Sequence, residues 1–259
     1  MINCIFTIMP FTFAHPAVII PFLYIKKKFF STTGLIVGSI VPDFEYFLRL
    51  RKETSYYSHS WNGLFWFDLP FGLLICFVFH TLIRNPLISN LPAPFQKRFY
   101  SFCQFNWNLY FKKYWSFILV SIMIGAGFHI FWDFFVHNSS NYLYSLYSTK
   151  KSQGKIISER NYYYILWSTN SLIGVIAIII YVLKIHINEQ ALVNTKINGY
   201  WIILQCFTIF FSFVRIYFDQ YLSIEDIIVS ITSAFLLSLI LVSLLKRIKS
   251  IKIIYPSRH

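Results

Sequence analysis

The chain has 259 residues, 56% of them hydrophobic and only 13% charged, with a mean hydropathy of +0.56. This composition excludes an ordinary soluble domain, and recurrent apolar runs of bilayer length predict an all-α, polytopic membrane helical bundle with four to six membrane-embedded helices. The formal net charge of +13 does not imply nucleic acid. Lys and Arg cluster at Lys26–Lys28, Arg49–Lys52, Lys97–Arg98, Lys112–Lys113, Lys150–Lys151 and Lys246–Lys252, each beside an apolar run, as topology control and contact with anionic lipid require. The high Phe and Ile content raises the average hydropathy by itself, so run length and flanking charge carry the assignment.

Taken in chain order, Met9 directly precedes Pro-Phe-Thr-Phe-Ala-His15-Pro16, and residues 1–8 read as an upstream extension. No basic segment followed by a small-residue cleavage site opens the chain, so a cleaved signal peptide is not expected. Residues 9–60 form a motif-bearing N-terminal region. Within it, Phe29–Leu48 contains Pro42-Asp43 and Glu45 and reads as a re-entrant or interfacial helix, because buried carboxylates need polar partners.

The next apolar run, Trp61–Ile83, is interrupted by Asp68 and Pro70. Asp68 is expected to be an N-cap followed by a first turn with proline, leaving the segment short or broken. A loop over Arg84–Lys113 carries the breakers Asn85-Pro86-Leu87 and Leu91-Pro92-Ala93-Pro94. A span follows at Tyr114–Val136, then a polar, mobile loop over His137–Tyr162, then spans at Tyr163–Ile185, Tyr200–Phe218 and Ile224–Leu245. No internal repeat is evident, and residues 1–259 read as a single integral membrane domain.

Five basic residues in Arg84–Lys113 and five after Leu245, against none in Asp219–Ser223, put the first two segments on the cytoplasmic side. Alternation then places the His137–Tyr162 loop outside. Four scattered cysteines without CxxC spacing indicate neither a disulfide framework nor a thiolate metal site.

The densest chemistry lies in Gly125-Ala-Gly-Phe-His129-Ile-Phe-Trp-Asp133-Phe-Phe-Val-His137. Residues four apart share one helix face and rise ~6 Å, so His129 and Asp133 can grip one ion. His137, ~12 Å from His129 along the axis, is placed for a second ion or a substrate. With the topology above, the start of the Trp61 span and the end of the Tyr114 span share a membrane face, which brings His59 to the same place. Asp43 and His15 can join through the re-entrant segment. Imidazoles and carboxylates in this mixture suit one or two divalent ions, Zn²⁺ foremost. Such an ion draws the pKa of water toward neutrality and makes it a nucleophile. Asp68 or Glu45 is then a candidate general base.

Each residue also has a plainer reading. His15 before Pro16 suits an interfacial polar residue, Asp43 a helix N-terminal carboxylate, His59 a capping-region loop residue, and the His129–Asp133–His137 row a set of ties between helices. His80, ~30 Å beyond His59 along a continuous helix, falls outside the site. Arg215 and Asp219, four apart, are expected to neutralise each other.

Six motifs in order resemble the DUF4184 family of bacterial membrane proteins: Met9-Pro-Phe-Thr-Phe-Ala-His15-Pro16, Gly38-Ser-Ile-Val-Pro42-Asp43-Phe-Glu45-Tyr, Ser58-His59-Ser60, Phe67-Asp68-Leu-Pro70, Asn85-Pro86-Leu87 with Leu91-Pro92, and Gly127-Phe-His129-Ile-Phe-Trp-Asp133. The resemblance covers the chain from Met9 and implies a bacterial inner (cytoplasmic) membrane protein, without by itself supplying an activity. The order His, Pro-Asp, His-Ser, His-x3-Asp is also similar to YdjM-type membrane-bound metal-dependent hydrolases and to the zinc-dependent phospholipase C and P1 nuclease group. By that similarity His15, Asp43, His59, His129, Asp133 and His137 correspond to ligands of a zinc cluster. The chain departs from the pattern near Ser168, where a further His is expected and neither His nor carboxylate stands. A full multi-zinc cluster is therefore not expected; one or two ions, or a lapsed site, are the alternatives.

The function expected is a membrane-bound metal-dependent hydrolase of a phosphoester or other ester, with membrane lipid as partner and the site on the non-cytoplasmic face. The alternative is a non-catalytic polytopic protein, transporter-like or scaffold, whose polar residues are structural. The sequence names no protein partner.

Overall fold

The computed structural model describes residues 11–24, 29–52, 57–149, 159–191, 193–219 and 221–254, and their side chains except at 137–149, 159–164 and 248–254. Residues 1–8 and Met9, the expected extension and start, lie outside the described residues. The helices are α1 (Thr12–Leu23, opening as a 3-10 helix), α2 (Thr32–Gly38), α3 (Phe44–Arg49), α4 (Trp61–Ile88), α5 (Ala93–Cys103), α6 (Trp107–Thr149), α7 (Glu159–Lys184), α8 (Asn198–Phe218) and α9 (Ile224–Ile254). Among the described residues, five helices are long and apolar enough to cross a membrane: those beginning at Trp61 and Trp107, the Ile165–Lys184 part of α7, Asn198–Phe218 and Ile224–Arg247. The segment read as re-entrant is broken into α2, a 3-10 turn at Val41–Asp43 and α3, none long enough to span.

The chain divides into two compact units, Met1–Asp43 with Tyr56–Gly72 and Ser116–Lys184, and Phe44–Ser55 with Leu73–Trp115 and Ile185–His259. In the first, α2 crosses α6 backbone against backbone. A Cβ on Gly38 would lie 2.2 Å from the Ile122 carbonyl oxygen, and one on Gly125 would lie 2.5 Å from that of Leu35. Gly34 is as tightly placed, with Ser121 Cβ at 2.8 Å. Small residues four apart on both helices permit this approach, which in lipid substitutes dispersion and hydrogen bonding for a hydrophobic driving force. Ser31 secures the crossing. Its hydroxyl accepts the Gly34 N–H as N-cap, and its own N–H donates to Ser121 Oγ at 2.8 Å. α4 joins through Gly72, where a Cβ would meet the Ile122 side chain at 2.9 Å. α1 lies on α7, with the Phe11 N–H donating to Ser171 Oγ (3.0 Å) and Gly174 set against Ala14.

The second unit packs α8 and α9 around Tyr200, Leu204, Leu239 and Val242, with Ile83 from α4. Ser223 and Asp226 form a reciprocal capping box at the start of α9: each side chain accepts the other's N–H at 3.1 Å. At the end of α8, Asp219 accepts from Arg215 (2.9 Å) and from Arg51 (2.6 Å). The expected i,i+4 pair is thus a triad that ties the segment after α3. Leu50 in that segment takes a left-handed backbone (φ 55°), and its carbonyl accepts from Arg215.

Three sequence expectations are corrected. α4 is not broken: Ser60 is its N-cap, accepting the Gly63 N–H at 2.9 Å, and Asp68 sits inside the helix. The π-helical turn Leu64–Asp68, closed by Leu69 N–H to the Leu64 carbonyl, supplies the extra residue that lets Pro70 follow without a helix end. A second π turn, Phe79–Ile83, precedes Pro86 in the same way, so Asn85-Pro86-Leu87 continues α4. Leu91-Pro92-Ala93-Pro94 opens α5, with proline in its first turn. The expected loop after Val136 is helical through Thr149.

Gly38→Ala or Gly125→Ala should cost more than about 2 kcal/mol, because the new methyl meets backbone that cannot give. Gly127→Ala, whose Cβ meets nothing within 4 Å, should be neutral or stabilise by up to about 1 kcal/mol. Thermal melting in detergent distinguishes the three. Separately, hydrogen bonds from Arg51, then Arg215, hold the Asp219 carboxyl down at about 2. Because the folded-state value is depressed, the tie contributes fully above the ordinary carboxylate range and is lost as pH falls through about 2. Melting temperatures of the native chain and Asp219→Asn should therefore differ near neutrality and converge between roughly pH 4 and pH 2.

Candidate metal centre

The α2–α6 crossing carries the site. Gly38 and Gly125 fix Ser39 beside His129, whose Nδ1–H donates to the Ser39 carbonyl at 2.8 Å. The chain then turns through Val41–Asp43 and delivers Asp43 to the same point. One helical turn past His129, Asp133 lies on the same face. His59 arrives from the turn ahead of α4, its Nδ1 2.9 Å from Ser58 Oγ. His15, on α1, stacks on the His129 ring (4.0 Å between centroids) and approaches Asp133 Oδ1 through Nε2 at 3.1 Å.

Four donor atoms, one each from Asp43, His59, His129 and Asp133, lie within 4.8 Å of one another. His129 Nε2 is 3.4 Å from Asp43 Oδ1 and 3.5 Å from Asp133 Oδ2. His59 Nε2 is 3.7 Å and 3.5 Å from the same two oxygens. Charge-assisted hydrogen bonds are shorter, near ~2.7–2.9 Å. Ligands held tetrahedrally at ~2.0–2.2 Å from one ion are ~3.3–3.6 Å apart, a range that three of these four distances meet.

The donor chemistry agrees. The Ser39 carbonyl can only accept, so a neutral His129 carries its proton on Nδ1 and offers the Nε2 lone pair, as an imidazole does when a carbonyl orients it toward a metal. Nε2 of His129, Asp133 Oδ2 and both oxygens of Asp43 are buried and make no hydrogen bond. Lone pairs converging in a buried place are compensated by a cation, either a metal ion or an imidazolium proton, and among the described residues neither carboxylate meets a Lys or Arg.

The structure therefore brings together His15, Asp43, His59, His129 and Asp133, with His15 bonded to a carboxylate outside the four-donor group. The side chain of His137 lies outside the described residues. Asp68 is fully buried, and its π turn packs on the Val41–Asp43 turn. Glu45 belongs to the second unit and pairs with Arg49 one turn on, at 3.5 Å. His80, also in that unit, stacks on Trp107 and lies 3.0 Å from Arg84. Ser168 is exposed and donates to the Ile165 carbonyl. Sequence reasoning did not find the Ser39 carbonyl, the Thr12 carbonyl 3.2 Å from His15 Nδ1, or the orienting role of Ser58. The carbonyls leave no mark in residue type; Ser58 stood in a quoted motif and was readable only as context.

Added Zn²⁺ should raise the melting temperature of the native chain and leave those of His129→Ala and Asp133→Asn unmoved, since stabilisation follows site occupancy. Calorimetric titration should show Ser58→Ala weakening affinity about 10–100-fold with the fold intact. Affinity should fall as pH drops through the imidazole range, because the ligands must be deprotonated.

Comparison with curated proteins and with solved structures gave no match. The family profile "Domain of unknown function (DUF4184)" matches residues 9–244, which include every helix that forms the four-donor group. By this match over nearly its whole length, the chain belongs to the DUF4184 family.

Proposed function

We propose that the protein is a membrane-bound, metal-dependent hydrolase acting on a phosphoester or other ester at the membrane interface. The observation that carries this reading is the gathering of imidazole nitrogens and carboxylate oxygens from four residues within 4.8 Å of one another, three of the residues buried. Asp43, His59, His129 and Asp133 hold one divalent ion, Zn²⁺ by the nitrogen–oxygen donor set. His15 is a further ligand or the orienting partner of Asp133, and His137 serves a second ion or the substrate. When bound, the ion supplies Lewis acidity toward water and the ester oxygen. Asp68, whose π turn packs on the Val41–Asp43 turn, is the favoured general base, with Glu45 the alternative. By the distribution of basic residues the site faces the non-cytoplasmic side of a bacterial inner membrane.

One observation favours the non-catalytic alternative. The His15–Asp133 hydrogen bond and the His15–His129 stack are also what helix ties look like. Metal analysis of detergent-purified protein separates the two readings. We expect about one Zn²⁺ per chain, lost in Asp43→Asn and His59→Ala, and ester hydrolysis lowered at least 10²-fold in both. A metal content of zero that persists after Zn²⁺, Mn²⁺ or Fe²⁺ addition would end the enzyme reading.

A further inference from the structure

Of the four clustered donors, three belong to residues that are almost wholly buried; His59 alone has a partly exposed side chain, at 14%. The centre is therefore approached from the His59 side. The chain neighbours of His59, though not His59 itself, line a cleft of about 480 Å³: Tyr57 and Ser60 on either side of it in the chain, and Asn62, Gly63, Trp66 and Phe67 from the first turns of α4.

This wall and His59 move as one piece. The Tyr57 carbonyl packs so closely on Gly63 that a Cβ there would lie 1.5 Å from it. Ser60 Oγ donates to the same carbonyl at 3.1 Å and accepts the Gly63 N–H at 2.9 Å. The turn thus presents His59 to the metal centre and Tyr57, Ser60 and Asn62 to the cleft.

The chemistry of the wall is mixed. A hydroxyl, a carboxamide and a phenol offer hydrogen bonds, while Trp66 and Phe67 offer apolar surface. Trp61 (79% exposed), Phe65 and Trp66 (86%) form an outward-facing aromatic band at the start of a spanning helix. Indoles so placed sit at the level of lipid headgroups. The rim therefore sets the mouth of the cleft at headgroup depth, within reach of a molecule arriving sideways from the bilayer.

Resting on the hydrolase reading, we propose that this cleft is the substrate subsite and that its occupant is a phospholipid-class amphiphile. Asn62 hydrogen-bonds the polar headgroup at the turn that carries His59, and Trp66 holds the start of the apolar chain. Asn62 and Trp66 are specificity-determining residues that do not touch the ion.

Native mass spectrometry of the Zn²⁺-loaded full chain, titrated with phosphatidylglycerol, tests the proposal. We expect one retained lipid adduct on the native chain, reduced at least fivefold in Trp66→Ala and in Asn62→Ala, with unchanged metal stoichiometry in the same spectra. Both residues are exposed, so these variants fold. Leu74→Ala, exposed on the same helix but outside the cleft, should keep the adduct. No adduct on the native chain, adducts retained by both cleft variants, or equal loss in Leu74→Ala would each overturn the proposal. Failure of the hydrolase reading shows differently, as absence of metal from the native chain whatever lipid it carries.

Discussion

The backbone crossing of α2 and α6 is the constraint on which the rest of the first unit depends. Two helices can approach until carbonyl oxygens stand 2.2–2.5 Å from where a Cβ would be only if that Cβ is absent. That closeness is what lets a carbonyl at the end of α2 reach the ring of His129 on α6, and what leaves Asp43, four residues after Ser39, opposite Asp133. Any side chain at Gly38 or Gly125 separates the helices, and the donors lose their common point before any of them is altered.

Gathering two carboxylates in an apolar unit is unfavourable unless positive charge joins them. Among the described residues no Lys or Arg supplies it, although the formal net charge is +13. The site relies on histidines whose Nδ1 atoms are committed to second partners. A neutral imidazole held this way presents a lone pair and no charge. In that protonation state the arrangement is incomplete as an ion pair and forms a ligand set that could hold a cation. This is why we favour the metal over helix ties.

The two π turns in α4 show how the same helix spans and still carries chemistry. Each absorbs a residue ahead of a proline, so that Pro70 and Pro86 lie within a continuous helix. The first also buries Asp68 against the turn bearing Asp43. A regular helix over Leu64–Asp68 would rotate that carboxylate by ~100° for the residue not absorbed.

Much of this was determined by the sequence alone. Run length and flanking charge define the spanning helices because a bilayer imposes a fixed thickness, and four-residue spacing puts His129 and Asp133 on one face because helical periodicity is local. The capping of α9 and the Arg215–Asp219 pair are equally local. What only the tertiary structure decided depends on contacts between distant segments or on backbone atoms. Asp68 looked like an N-cap because Asp-Leu-Pro is a common helix start; a π turn, which has no residue signature, overrode it. Gly125 and Gly127 look alike in the chain, yet only Gly125 meets another backbone. The carbonyls of Ser39 and Thr12 orient histidines whatever side chains those residues carry. Ligand identity is thus written in residue type and spacing, while ligand geometry is set by how closely two backbones can pass.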